Sequence, residues 1–158
     1  MKYLLLAVGA FCLVATHAFA DQAPIPKGPK GKVKLEMFVL HATTQGAGFD
    51  KKIPAELQRR LKRPPYSAHT RYTLLTRRNA QVAYGTPLLV NLPDRSVLRL
   101  SARPAGKRCH VKAEIKLKTG KKFLPNLQTR VGVNKLFVIS GHKHNKGTLV
   151  VGVRLTAK

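Results

Sequence analysis

Ten residues, Cys109 to Lys118, alternate without interruption between two kinds of side chain. Cys109, Val111, Ala113, Ile115 and Leu117 share one parity, and His110, Lys112, Glu114, Lys116 and Lys118 share the other. A period of two sends successive side chains to opposite faces of a strand, so this segment buries its apolar half only within a sheet. The other half is constrained as well. Residues 106–122 hold seven Lys or Arg against one acid, Glu114. Any fold for this chain must therefore present a sheet with a packed face and a basic face.

The same alternation recurs elsewhere. In "SVLRLSAR", residues 96–103, Leu98, Leu100 and Ala102 face inward, while Arg99, Ser101 and Arg103 face outward. "KVKLEMFVLHAT", residues 32–43, alternates Val33, Leu35, Met37 and Val39 with Lys34 and Glu36. Phe38 and Leu40 then make its second half apolar on both sides, as in a central strand. "RYTLLTRR", "TPLLVNL", "LQTRVGV", "KLFVISGH" and "TLVVGVRLT" complete a run of about eight strands spaced about ten residues apart. "PDR", "RPAGKR" and "TGKKF" supply turn signals between them. The expected fold is all-β, a β-sandwich of antiparallel strands without internal repeats.

One segment breaks the pattern. In residues 51–62, Ile53, Leu57 and Leu61 recur every four residues and form one apolar helical stripe. Asp50 is the expected N-cap, with Pro54 in the first turn, and Pro64-Pro65 ends the helix. The opposite face carries Arg59, Arg60, Lys62 and Arg63. This short helix is expected to pack across a sheet edge or end.

Residues 1–20 read as a cleaved secretory signal: a basic start at Lys2, an apolar run from Leu4 to about Val14, and Ala18-Phe19-Ala20 before the cleavage point. An uncleaved anchor is the alternative, but the apolar run is short for a spanning helix. Phe11 before Cys12 does not fit a lipidation signal, which takes a small residue there. Residues 21–32, "DQAPIPKGPKGK", form a Pro/Gly/Lys leader, and 33–158 a single β domain. Removing Lys2 with the signal leaves 29 basic and six acidic residues, a net charge of +23 for the mature chain. The expected location is the periplasm or the exterior. Cys109, the sole cysteine of the mature chain, shares parity with core residues and reads as a buried thiol.

The six acids are scattered: Asp21 in the leader, Asp50 and Glu56 at the helix, Asp94 in a turn, and Glu36 and Glu114 on outward strand positions, where they are expected to pair with neighbouring lysines. Acid–base or nucleophilic chemistry uses paired carboxylates, or a nucleophile beside a base. No such pairing, Gly-rich phosphate loop or nucleophile elbow is present. The expectation is a non-enzyme with no cofactor and no small-molecule substrate. His142 and His144, two apart in "GHKHNKG", are weak metal candidates that lack a defined third ligand. His41, His69 and His110 are the histidines available for that place. The preferred reading is a hairpin tip at Asn145-Lys146-Gly147, with Gly147 at positive φ.

Charge is the strongest functional signal. Arg99, Arg103, Lys112, Lys116 and Lys118 fall on one outward face, ending in Lys107-Arg108 at one turn and Lys121-Lys122 at the other. Self-repulsion in such a stripe opposes folding, and a polyanion offsets it. Lipopolysaccharide, anionic lipid or an acidic polysaccharide fits an exported chain. Nucleic acid is less favoured, because the outward positions lack stacking aromatics and no helix reads as a groove reader. One alternative is a structural part of an envelope or secretion assembly with a protein partner, since Val150, Gly152 and Arg154 leave the last strand's outer face weakly polar, a feature that equally fits cover by the domain's own helix. A solvated face without a partner is another.

The run "KRPPYSAHTRYTLLTRRNAQVAYGTPLLVNLPDRSVLRL", with "GHKHNKGTLVVGVRL", is similar in rhythm to small secreted proteins of unknown function from Gram-negative bacteria such as myxobacteria. The resemblance covers most of the mature chain. It implies a periplasmic or extracellular β-domain, and no activity or site.

Overall fold

The computed structural model describes residues 31–157, with the side chains at 124–126, 140–142 and 157 outside that description. The expected signal 1–20 and most of the leader lie outside the described residues. The strands are β1 Lys32–Thr43, β2 Gly48–Phe49, β3 Arg71–Ala83, β4 Leu88–Asn91, β5 Val97–Ala105, β6 Arg108–Lys116, β7 Leu124–Gly132, β8 Leu136–His144 and β9 Gly147–Ala157. One helix, α1 Ala55–Leu61, and a 3-10 turn at Tyr66–Ala68 lie between β2 and β3.

These strands form two sheets, of order β2-β3-β1-β9-β8 and β4-β5-β6-β7. All pairings are antiparallel except β2 with β3. The fold is all-β with one short helix, as the alternation requires. The additional strand is β2, which lies in a stretch expected to be a loop and pairs Gly48 with Arg71 and Phe49 with Tyr72. Two residues are too few to show a period. β5 runs through Pro104 to Ala105, so the expected "RPAGKR" turn shrinks to Gly106 and Lys107.

The sandwich core sits between the sheets. Val33, Leu35, Met37 and Val39 of β1 meet Leu98, Leu100, Ala102, Cys109, Val111, Ala113 and Ile115 of β5 and β6. Cys109 is buried, as its parity predicts, with the Tyr84 hydroxyl 4.0 Å from its sulfur. A second apolar cluster occupies the outer face of the five-stranded sheet. There Phe38, Leu40, Ala42, Leu136, Val138 and Val150 pack beneath Ile53, Leu57 and Leu61. The helix thus covers a sheet face rather than an edge or end. The reason lies in β1, whose second half is apolar on both sides and buried on both.

The weakly polar outer face of β9 has the same explanation. Val150 is buried in the helix-side cluster, Gly152 lies under Leu57, and Arg154 bonds to Glu36 and Glu56. The feature that pointed to a protein partner on this strand is covered from within the fold. Asp50 does not cap α1. Pro54 occupies the N-cap position without a side-chain bond. Asp50 instead accepts from the Lys52 amide at 3.0 Å, and its carbonyl accepts from the Ile53 amide at 3.0 Å, closing the turn that leads into the helix.

Beyond the helix, the Tyr72 hydroxyl donates to the Tyr66 carbonyl at 2.6 Å, and the Tyr66 hydroxyl donates to the Val138 carbonyl at 3.0 Å. These bonds pin the 3-10 turn to the sheet. Burial pushes the Tyr72 phenol up to about 12, with a smaller push from Tyr66.

A β-carbon added to Gly152 would lie 2.9 Å from a Leu57 methyl. Gly152→Ala is therefore expected to cost about 1–3 kcal/mol through overpacking. Leu57→Ala is expected to cost about 2–5 kcal/mol through lost burial and a cavity. The double variant should cost less than the sum, because the shortened side chain on α1 leaves room for the new methyl. Urea unfolding of the four proteins measures this coupling. Strict additivity would show that α1 does not seat on Gly152.

Candidate anion-binding face

The four-stranded sheet has an outer face that no helix covers among the described residues. Its strand register fixes what lies on that face. β5 and β6 pair Val97 with Lys116, Arg99 with Glu114, Ser101 with Lys112 and Arg103 with His110. β6 and β7 pair Lys112 with Gln128 and His110 with Arg130. Arg99 and Arg103 therefore share a face with Lys112 and Lys116, as the hairpin alternation requires. Arg108 joins them by parity, and Lys107 lies in the adjoining turn beside Gly106 at φ 62°. Lys118 does not. β6 ends at Lys116, which places Lys118 with Lys121 and Lys122 in the loop before β7.

The stripe is not continuous. The Glu114 carboxylate accepts from Arg99 Nε at 2.8 Å and pairs with Lys112 Nζ at 2.9 Å. Hydrogen bonds from Arg99, then from Lys112, hold its pKa below the ordinary value. The expected lysine partner is present, but Arg99 contributes more. Nearby, the Arg99 guanidinium lies 4.1 Å from the Phe123 ring centroid and Lys116 Nζ lies 5.7 Å from it. The loop thus brings an aromatic ring to a face whose strand positions lack one, and Arg99 already stacks on it.

Glu114 divides the remaining cations into two sets. Toward the β5–β6 turn are Arg103, Lys107, Arg108 and Arg130, with the His110 ring between Arg103 and Arg130. Toward the other end are Lys116, Lys118, Lys121 and Lys122. Among the described residues, none of these Lys or Arg side chains has a carboxylate partner. From Arg103–His110 to Val97–Lys116 is six residues of strand, about 20 Å at about 3.3 Å per residue. The first set is the denser one. Arg103, His110 and Arg130 stand side by side on three strands and all are exposed. Arg103 and Arg130 flank His110 from the two neighbouring strands, roughly 10 Å apart at two strand spacings, and their like charges repel across the imidazole.

Arg130 was not among the expected site residues. The signal for it was the alternation of Leu127, Thr129 and Val131 with Gln128 and Arg130, which puts Arg130 on the outer parity once β7 pairs with β6.

The described carboxylates all serve the fold. Glu36 pairs with Arg77 and with Arg154 at 2.9 Å, and Glu56 pairs with Arg154 at 2.8 Å. Asp94 accepts from the Ser96 amide and hydroxyl, which shapes the turn where Arg95 takes φ 66°. Glu36 therefore pairs with arginines rather than the expected lysines.

At the β8–β9 turn, His41 Nε2 lies 3.1 Å from the His144 carbonyl, and the two rings are 5.6 Å apart, edge to face. The His142 side chain lies outside the described residues. Among those described, no three His, Cys, Asp or Glu form a group that would hold a metal. His110 is on the other sheet. Gly147 does not supply the positive φ. Asn145 does, at φ 50°. Gly147 is needed for a different reason, because a β-carbon there would collide with the Ala42 carbonyl and lie 2.6 Å from His41 Nε2.

Among the described residues no helix is long and apolar enough to cross a membrane. Comparison of the chain with protein-family models, curated proteins and solved structures gave no match in any of the three.

Glu114 offers a direct test of the divided face. Its lowered pKa means that its contribution to stability is complete above the ordinary value of 4.5 and is lost as pH falls through the folded value. Glu114→Gln is expected to lower the urea midpoint at neutral pH. The gap to wild type should close as pH drops below 4.5. A gap that persists unchanged in acid would show that the ion pairs with Arg99 and Lys112 do not operate.

Proposed function

We propose that this protein is an exported, non-enzymatic binding domain for an anionic polymer or envelope surface, such as lipopolysaccharide, anionic lipid or acidic polysaccharide. The observation that carries this proposal is the uncovered row Arg103–His110–Arg130, with Arg108 and Lys107 beside it and no carboxylate partner for its Lys and Arg among the described residues. Four cations without carboxylate partners at one end of a sheet face, Arg103, Lys107, Arg108 and Arg130, repel one another. Phosphate, carboxylate or sulfate groups relieve that repulsion, and guanidinium groups bind them in bidentate fashion. The end set of Lys116, Lys118, Lys121 and Lys122 extends the footprint as point charges. Export rests on the signal-like segment 1–20. A non-catalytic role is supported by the engagement of the five described acids in ion pairs and turns.

The test is binding of residues 21–158 to heparin, lipopolysaccharide and duplex DNA across a salt series. Affinity should fall steeply with salt, in proportion to the number of charges neutralised. Replacing Arg103, Arg108 and Arg130 together with Gln should flatten the logarithmic salt slope by about 2–3, since each anion contact contributes roughly 0.9 on duplex DNA. Glu114→Gln should strengthen binding, because it frees Arg99 and Lys112. Binding that is absent at physiological salt, or unaffected by the triple substitution, would remove this face from the function.

A further inference from the structure

A second set of cations lies on the other side of the sandwich. Arg59 and Arg60 of α1 and Arg63 of the turn after it follow helical spacing with Glu56, and the four side chains border one groove. Pro64, Pro65, Tyr66 and Leu136 complete its walls, and its volume is about 480 Å³. The single carboxylate in this lining, Glu56, is held by Arg154 at 2.8 Å. The Tyr66 hydroxyl donates to the Val138 carbonyl and so belongs to the wall. The groove therefore offers three exposed guanidinium groups in a mostly polar lining, with Pro64, Pro65 and Leu136 as its apolar members. An anionic lipid headgroup is complementary to these three charges, since the one carboxylate beside them is already paired.

The position of the groove gives it a further property. α1 packs on the outer face of the five-stranded sheet, whereas the Arg103–His110–Arg130 row is on the outer face of the four-stranded sheet. Packed sheets lie about 10 Å apart, and a helix layer adds about as much, so the two cation sets are separated by roughly 20 Å or more. The Debye length at physiological ionic strength is about 8 Å. One flat anionic surface cannot neutralise both sets.

We infer that the α1 groove is a second anionic-lipid site, and that one molecule bridges two anionic lipid surfaces through opposite faces of its sandwich. This rests on the anionic-surface function proposed above, and the experiment separates the two. Residues 21–158 are mixed with two dye-labelled populations of phosphatidylcholine vesicles containing phosphatidylglycerol. Binding is read by co-flotation, and bridging by energy transfer between the populations. The wild type should bind and bridge, and should do neither with pure phosphatidylcholine. Arg59→Gln/Arg60→Gln/Arg63→Gln and Arg103→Gln/Arg108→Gln/Arg130→Gln should each still bind yet bridge at least about tenfold less, because each retains a single face. All six side chains are exposed, and far-ultraviolet circular dichroism checks that both variants keep the wild-type fold.

Binding without bridging by the wild type overturns the second site and leaves the anionic-surface function standing. Full bridging by the Arg59/Arg60/Arg63 variant overturns the groove as that site. A dimeric mass in sedimentation without lipid, lost in step with bridging, overturns it as well, because two copies would then supply the two faces. No binding to anionic vesicles by the wild type overturns both proposals for lipid.

Discussion

β1 is apolar on both faces over its second half, and a strand of that kind has to be covered twice. One side faces the opposing sheet through Val33, Leu35, Met37 and Val39. The other side, at Phe38, Leu40 and Ala42, is closed by α1. Fully burying one such side chain stabilises by about 1.5–3 kcal/mol, so leaving Phe38 and Leu40 in water would remove a large share of a typical domain's margin. The single helix therefore goes to the five-stranded sheet, and the outer face of the four-stranded sheet is left without a helix among the described residues. The basic face is open because the apolar demand lies elsewhere.

That allocation also governs where the few acids go. A chain with a net charge of +24 has little negative charge to distribute. Glu36 and Glu56 converge on Arg154 and tie the helix to the sheet below it. Glu114 holds Arg99 and Lys112 at mid-face. Surface ion pairs of this kind contribute little each, about 0–1 kcal/mol. Their larger effect is spatial, since they fix which cations remain free to meet an external anion.

Much of this was legible in the chain. Strict alternation in 109–116 and 97–103 identified the sheet, its inward residues and the outward Arg99, Arg103, Lys112 and Lys116, whereas Leu117 and Lys118, read as part of the same strand, fall beyond its end. Local signals of single residues were less dependable. Asp50 and Gly147 each stand where a cap or a positive φ is usual, yet Asp50 closes a turn and Gly147 makes room for the Ala42 carbonyl. Those roles depend on contacts distant in sequence. The two-residue β2 carries no pattern, and the division of the basic stripe depends on Glu114 reaching across to the neighbouring strand. Arg130 became part of the site only through the β6–β7 register. The placement of the helix on a face was implied by Phe38 and Leu40, but only if the second apolar side of β1 is given its own cover.

Cys109 lies in the sandwich core and is nearly sealed from solvent, at 2% exposure. In any oxidising setting, a free thiol is a hazard only when oxidants or a second chain reach it. Packing of β6 makes its chemistry conditional on opening of the sheet. The rate of thiol labelling then becomes a clock for that opening. Where an oxidant is present, a molecule that unfolds can be captured as a covalent dimer before it refolds, and the lifetime of the native state then governs survival more than its equilibrium stability does.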